Sequence, residues 1–227
     1  MRNTAARWKN LYRNCINMYT HQKQIITAGK PVQQAKAALI ILHGRGSNAQ
    51  NIITLADDLN VADFAVYAPQ ASQNSWYAYS FMAPDEQNQP ALNSALEVID
   101  QLVQQIITDG ISAENIYFLG FSQGACLTLE YVARNAKRYG GAIAFTGGLI
   151  GAQLNQSNYT GDLKSTPLLL TTSDPDMHVP LTRVEESVQI FKELNAEVTL
   201  KVYKGRPHTI LQEEINLANQ IIFSPEN

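Results

Sequence analysis

The residues most suited to covalent chemistry lie in one pentapeptide, Gly120-Phe121-Ser122-Gln123-Gly124. An apolar run, Ile116–Leu119, stops at Gly120, and a helical pattern carrying Leu129, Val132 and Ala133 begins at the serine. A serine pinched between a strand and a helix has a strained backbone. Side chains two residues to either side would collide with it, which accounts for glycine at 120 and 124. Such a turn lifts the Ser122 hydroxyl above a sheet and sets it at the positive end of the following helix, where developing negative charge is favoured. The chemistry implied is nucleophilic attack on a carbonyl. The pentapeptide alone is modest evidence, since chance places it in roughly one of ten to twenty chains of this length; its position between strand and helix gives it weight.

A serine hydroxyl needs a base to become a nucleophile. The chain offers His21, His43, His178 and His208. His21 precedes the first firm strand and reads as a surface residue. His43 ends the first strand, before Gly44, and reads as a loop-shaping residue. His208 follows the last strand in Lys204-Gly205-Arg206-Pro207-His208 and fits the chain order serine, acid, histidine of the elbow chemistry. His178 is the second choice. The acid belongs after the apolar run ending at Thr172, where both Asp174 and Asp176 stand, and spacing alone does not choose between them. An oxyanion hole requires two backbone N–H groups. One is expected from Gln123, the residue after the serine, and the other from the loop His43-Gly44-Arg45-Gly46-Ser47-Asn48. That loop superficially resembles a phosphate-binding turn but lacks the third glycine and the Lys-Ser/Thr pair.

The elements that must hold these residues can be read from hydrophobic periodicity. Lys36–Leu42, Phe64–Ala68, Ile116–Leu119, Ala142–Phe145 and Pro167–Thr172 are short runs, apolar on both faces and bounded by turn residues. This pattern suits parallel strands covered on both sides. Val198, Leu200 and Val202 alternate with polar residues or tyrosine, as in a strand nearer an edge, and Gln24–Thr27 is a further strand candidate. Apolar stripes at helical spacing run through Leu92–Ile106, Leu181–Leu194 and Leu211–Ile222. The alternation predicts one α/β domain, a mostly parallel sheet with helices on both faces, over residues 20–227. Working residues then belong in loops at the carboxyl ends of strands.

Composition sets the outer limits. With 227 residues, 45% hydrophobic and 16% charged, the chain is globular and large enough to fold without a disulfide or metal. Lys+Arg 17 against Asp+Glu 20 gives a net charge of −3, which argues against nucleic acid as the main partner. Two cysteines, Cys15 and Cys126, are too few for a secreted disulfide framework. No apolar run approaches the ~20 residues of a membrane span. Residues 1–19 read as a poorly packed leader without the apolar stretch of a signal peptide, and Met18 is a candidate alternative start. A cytoplasmic location is expected.

Taken together, Leu42-His-Gly-Arg-Gly46, Gly120–Gly124, Asp176-Met-His-Val-Pro180 and Gly205-Arg-Pro-His208 resemble the phospholipase/carboxylesterase family of the α/β-hydrolase fold, which includes the acyl-protein thioesterases. The resemblance spans roughly residues 20–224. It implies Ser122 as nucleophile, Asp176 rather than Asp174 as acid, and His208 as base. It also places the second oxyanion N–H on Arg45, where the thioesterase branch carries leucine. The activity it implies is hydrolysis of small-molecule carboxylic esters, with thioesters and lysophospholipids among the substrates, and with no metal or organic cofactor. Trp76, Tyr77, Phe81 and Met82, in the aromatic segment after the Phe64–Ala68 run, are expected to line an apolar wall beside Ser122, Trp76 by the resemblance. The alternative is that these side chains pack their loop onto the core. Only about twenty residues separate Gly148 from Pro167, too few for a large cap domain, so an open groove is expected. Cys126, one helical turn past Ser122, reads as a buried free thiol.

Overall fold

The computed structural model describes residues 20–224. The expected leader over 1–19 and the alternative start at Met18 lie outside the described residues.

Seven strands form one sheet: β1 (Ile25–Gly29), β2 (Ala37–Leu42), β3 (Phe64–Pro69), β4 (Ile116–Phe121), β5 (Gly141–Phe145), β6 (Pro167–Asp174) and β7 (Glu197–Lys204), in the order β1-β3-β2-β4-β5-β6-β7. β1 pairs antiparallel with β3, and every other pairing is parallel. All seven coincide with runs read from the sequence. β7 and β1 are the two edges, which explains why β7 alternates in polarity while β2 is buried along its whole length.

The period of two in β2 decides which helices cover which face. Ala38, Ile40 and Leu42 point to one side. There they meet α2 (Ala91–Thr108), α3 (Gln123–Arg134) and α4 (Leu181–Glu193). Leu39 and Ile41 point to the other. That side is covered by the short α1 (Ala49–Ile52) with its 3-10 continuation Ile53–Asp58, and by α5 (Gln212–Ile221). The result is the expected α/β-hydrolase architecture, a single domain with no large cap among the described residues. β4 lies at the centre of the sheet, so its carboxyl end is flanked by the loops that follow β2 and β5.

Candidate active site

β4 runs into Ser122, whose backbone has φ 54° and ψ −116°, and α3 starts at the next residue. A non-glycine residue held at positive φ costs on the order of 1–3 kcal/mol and needs its surroundings to enforce it. Two close approaches do so. A Cβ at Gly120 would lie 2.3 Å from the Gly124 carbonyl oxygen, and a Cβ at Gly124 would lie 2.1 Å from the Leu42 carbonyl oxygen. The turn is pinned by Ser122 N–H donating to Phe145 O at 3.0 Å and by Cys126 N–H donating to Ser122 O at 3.0 Å.

Two loops bring partners to this serine. His208 Nε2 lies 2.8 Å from Ser122 Oγ, and His208 Nδ1 lies 2.8 Å from Asp176 Oδ2. Asp176 Oδ1 accepts from the amides of His178 at 2.8 Å and Val179 at 2.9 Å, so both carboxylate oxygens are engaged. The Asp176 side chain is 1% exposed and that of His208 18%, which leaves the imidazole reachable and the carboxylate covered. Burial pushes the Asp176 carboxyl upward. The His208 ring N–H and the two amides outweigh it, and the value falls below the ordinary 3.8. Asp174 is exposed at the end of β6, and of the two aspartates it is Asp176 whose carboxylate meets the His208 ring. His178 sits edge-on to His208, with ring centroids 5.0 Å apart, and lines the groove above the serine.

The other two histidines are structural. His43 Nε2 accepts from Ala71 N–H at 3.1 Å, so its Nδ1 carries the hydrogen that goes to Gly44 O at 2.8 Å. His21 is not a free surface residue: its Nδ1 accepts from Ser72 N–H at 3.0 Å and its Nε2–H donates to Trp76 O at 2.9 Å. Burial pushes both below the ordinary histidine value, in keeping with neutral rings.

The aromatic segment divides in two. Tyr77 and Phe81 line a groove of about 610 Å³ together with Phe121, Ser122 and His208. Trp76 does not. It is fully buried, its rings face His21 and His43 at 5.4 and 5.1 Å, and its indole N–H donates to His43 O at 2.9 Å. Met82 is half-buried against the core and also lies off the groove. The expectation of a four-residue wall is thus corrected to Tyr77 and Phe81. The alternation of the segment turns Trp76 inward, where its N–H finds a buried carbonyl.

The side chains of Gln123 and Arg45 grip the same segment from two sides. Gln123 Oε1 accepts from Trp76 N–H at 2.9 Å, and its Nε2 donates to Tyr77 O at 2.8 Å. Arg45 donates through Nη1 to Ser75 Oγ at 3.2 Å and Ala78 O at 2.8 Å, and through Nη2 to Tyr79 O at 2.6 Å. Behind them Gly46 N–H donates to Asn74 O at 2.8 Å.

Arg206, whose role the sequence did not disclose, anchors the loop that carries His208. It is buried, and its Nη2 reaches Glu214 Oε1 at 3.0 Å and Thr146 Oγ1 at 2.5 Å while Nη1 reaches Thr209 O at 2.5 Å. The other Glu214 oxygen caps α5 at Leu211 N–H, 2.8 Å. A Gly-Arg-Pro-His turn followed by a glutamate six residues beyond the histidine was the available signal. Removing one member of a buried ion pair strands the other, which typically costs about 3–5 kcal/mol. Arg206→Met is expected to lose stability in that range in urea denaturation. A loss below about 1 kcal/mol would show that the pair is dispensable.

Asp176 yields a second expectation. Its folded value lies below its unfolded one, so the ionised carboxylate stabilises the fold above about pH 3.8, and that stabilisation is lost as pH falls through the folded value. The difference in urea midpoint between wild type and Asp176→Asn should therefore narrow on acidification below pH 3.8. A difference independent of pH in that range would contradict it.

Residues 21–223 match the Phospholipase/Carboxylesterase family. Over 210 residues the chain is 27% identical to acyl-protein thioesterase 1 of Kluyveromyces lactis, covering 84% of this chain and 92% of that protein. It is 26% identical over 198 residues to a probable SOBER1-like carboxylesterase of Arabidopsis thaliana, covering 80% and 76%. Among solved structures, a phospholipase/carboxylesterase from Dyadobacter fermentans superimposes with a TM-score of 0.90 at 59% identity, covering 91% of this chain and 99% of that one. With a family match over nearly the whole chain, and a relative of this identity sharing its fold, the protein belongs to the phospholipase/carboxylesterase family and is a carboxylic ester hydrolase.

Proposed function

We propose that the protein hydrolyses carboxylic esters through an acyl-enzyme on Ser122, with His208 as base and Asp176 as its orienting acid. The observation that carries this reading is the unbroken hydrogen-bonded chain Ser122 Oγ, His208, Asp176, with both links at 2.8 Å. Asp176 accepts from Nδ1–H, which leaves Nε2 as the free base facing the hydroxyl. As Oγ attacks the ester carbonyl, His208 takes its proton, and the imidazolium that forms is stabilised by the carboxylate. The tetrahedral oxygen is held by the backbone N–H groups of Gln123, at the start of α3, and of Arg45. His208 then returns the proton to the leaving alkoxide. Water, deprotonated by the same nitrogen, attacks the acyl-enzyme and releases the acid. A thioester would follow the same path with a thiolate leaving. The groove floor beside Ser122, formed by Tyr77, Phe81 and Phe121, offers apolar contact to the substrate.

The reading is tested with a series of p-nitrophenyl esters and a fluorophosphonate probe. Ser122→Ala is expected to lower kcat by about 10⁴-fold or more. Wild type should be labelled at Ser122, and His208→Ala should lose labelling. Equal labelling of the two proteins would overturn the role given to His208. A further expectation concerns Gln123. Its side chain holds the Trp76–Tyr77 segment that Arg45 also grips, so Gln123→Ala should let the two oxyanion amides drift apart. A displacement near 1 Å costs about 10²-fold. The loss should fall on kcat, with KM within a few-fold of wild type. A change confined to KM would contradict the role.

A further inference from the structure

Resting on the hydrolase reading of Ser122, we propose that the Arg45 side chain makes this groove selective for esters that carry an anionic group, a carboxylate or its equivalent, a few bonds from the reacting carbonyl. The guanidinium is exposed, lines the groove that holds Ser122, and lies over the Tyr77 ring with 5.9 Å to its centroid. Its three protein acceptors, Ser75 Oγ, Ala78 O and Tyr79 O, are all neutral. Those bonds fix the group without cancelling its charge. A guanidinium has five N–H donors, so the Nε hydrogen and one on Nη2 are left without a protein acceptor among the described residues.

The other arginines among the described residues show how unusual this is. Arg134, Arg183 and Arg206 stand 2.6, 2.8 and 3.0 Å from a glutamate oxygen. Arg138 also lacks so close a partner, but it lines a hollow at the opposite end of the sheet that Glu114 and Glu197 share. Among the described residues, no aspartate or glutamate lines the groove around Arg45. Of the Cys126, Tyr77 and Tyr79 side chains that line it, burial pushes the Cys126 thiol up to about 12 and the Tyr77 phenol well above its ordinary value. The Asp176 charge lies behind the His208 ring and is satisfied there and by two amides. The two imidazoles among its described lining residues, His178 and His208, can add only positive charge. A chain of net charge −3 thus presents, in the groove that holds Ser122, a cation with no carboxylate among the described lining residues. A partly enclosed wall weakens screening and focuses such a field. A pre-held guanidinium also loses little entropy when it binds a carboxylate, and the hydrogen bonds formed are charge-assisted.

A positive charge near the oxyanion would speed all esters alike, so the test measures a ratio. Mono-p-nitrophenyl adipate is compared with its methyl ester, which places the charge on the acyl side. Likewise 4-acetoxybenzoate is compared with methyl 4-acetoxybenzoate, which places it on the leaving group. For each pair the ratio of kcat/KM, anionic over neutral, is measured in wild type, Arg45→Gln and Arg45→Lys, at low and high ionic strength. In at least one pair the wild-type ratio should exceed that of Arg45→Gln by about tenfold or more, with Arg45→Lys between them. The pair that responds identifies the side on which the anion sits. The wild-type ratio should fall as salt is added, a readout that needs no variant to fold. Ratios equal in wild type and Arg45→Gln for both pairs, with neutral esters still turned over, would overturn the proposal. Failure of wild type to hydrolyse any neutral ester or to be labelled at Ser122 would overturn the hydrolase reading, and this proposal with it.

Discussion

The contact on which the site depends is the approach of α3 to the end of β2. Gly124 lies so near the Leu42 carbonyl that a single added carbon would stand 2.1 Å from its oxygen. This contact lets the chain turn from β4 into α3 within one residue, and that residue is Ser122, at φ 54°. The same contact places the first turn of α3 beside the loop that leaves β2. Both proposed oxyanion donors, one from each element, are therefore held at a distance set by main chain packed on main chain. Interiors of this density do not deform smoothly, so a strained serine can persist there.

Around that fixed point the fold uses side chains as rivets. The segment from Ser75 to Tyr79 is held by Gln123 from the helix and by Arg45 from the β2 loop, and Trp76 is tucked between two neutral histidines beneath it. On the other side, Arg206 and Glu214 join the His208 loop to β6, through Thr171, and to α5. Polar groups buried in this way are costly unless partnered, and here both Nη nitrogens of Arg206 and both Glu214 oxygens are engaged while Arg206 Nε is not. In the proposed mechanism the His208 imidazole carries the proton between Ser122 Oγ and the leaving group.

The family places this chain among carboxylic ester hydrolases, and the groove adds what is particular to it. An apolar floor of Tyr77, Phe81 and Phe121 meets a rim that carries Arg45 and His178. Such a surface combines contact area for a hydrocarbon or aryl portion with a cation whose charge no neighbouring carboxylate cancels.

Much of this was legible in the sequence, and the limits of legibility have a physical pattern. Periodicity located all seven strands and the long helices, because each face of β2 must be apolar when helices cover both sides. The Gly-x-Ser-x-Gly turn was equally plain, since no other residues fit its two close approaches. Local signals failed where the answer depends on what lies across space. Spacing along the chain does not separate Asp174 from Asp176; apart from the family resemblance, it is the position of the His208 ring that does. Trp76 and Tyr77 are adjacent aromatics, yet one packs under the loop and the other faces the groove, because the nearest acceptor for the indole N–H is a carbonyl buried beneath. Arg206 looked like a loop cation, and its partner Glu214 belongs to the next helix. What the sequence determined by itself is what the backbone's own sterics and hydrophobic period enforce. Which polar side chain meets which was decided by the tertiary structure, because a hydrogen bond needs an approach within about 3 Å that only the packed sheet provides.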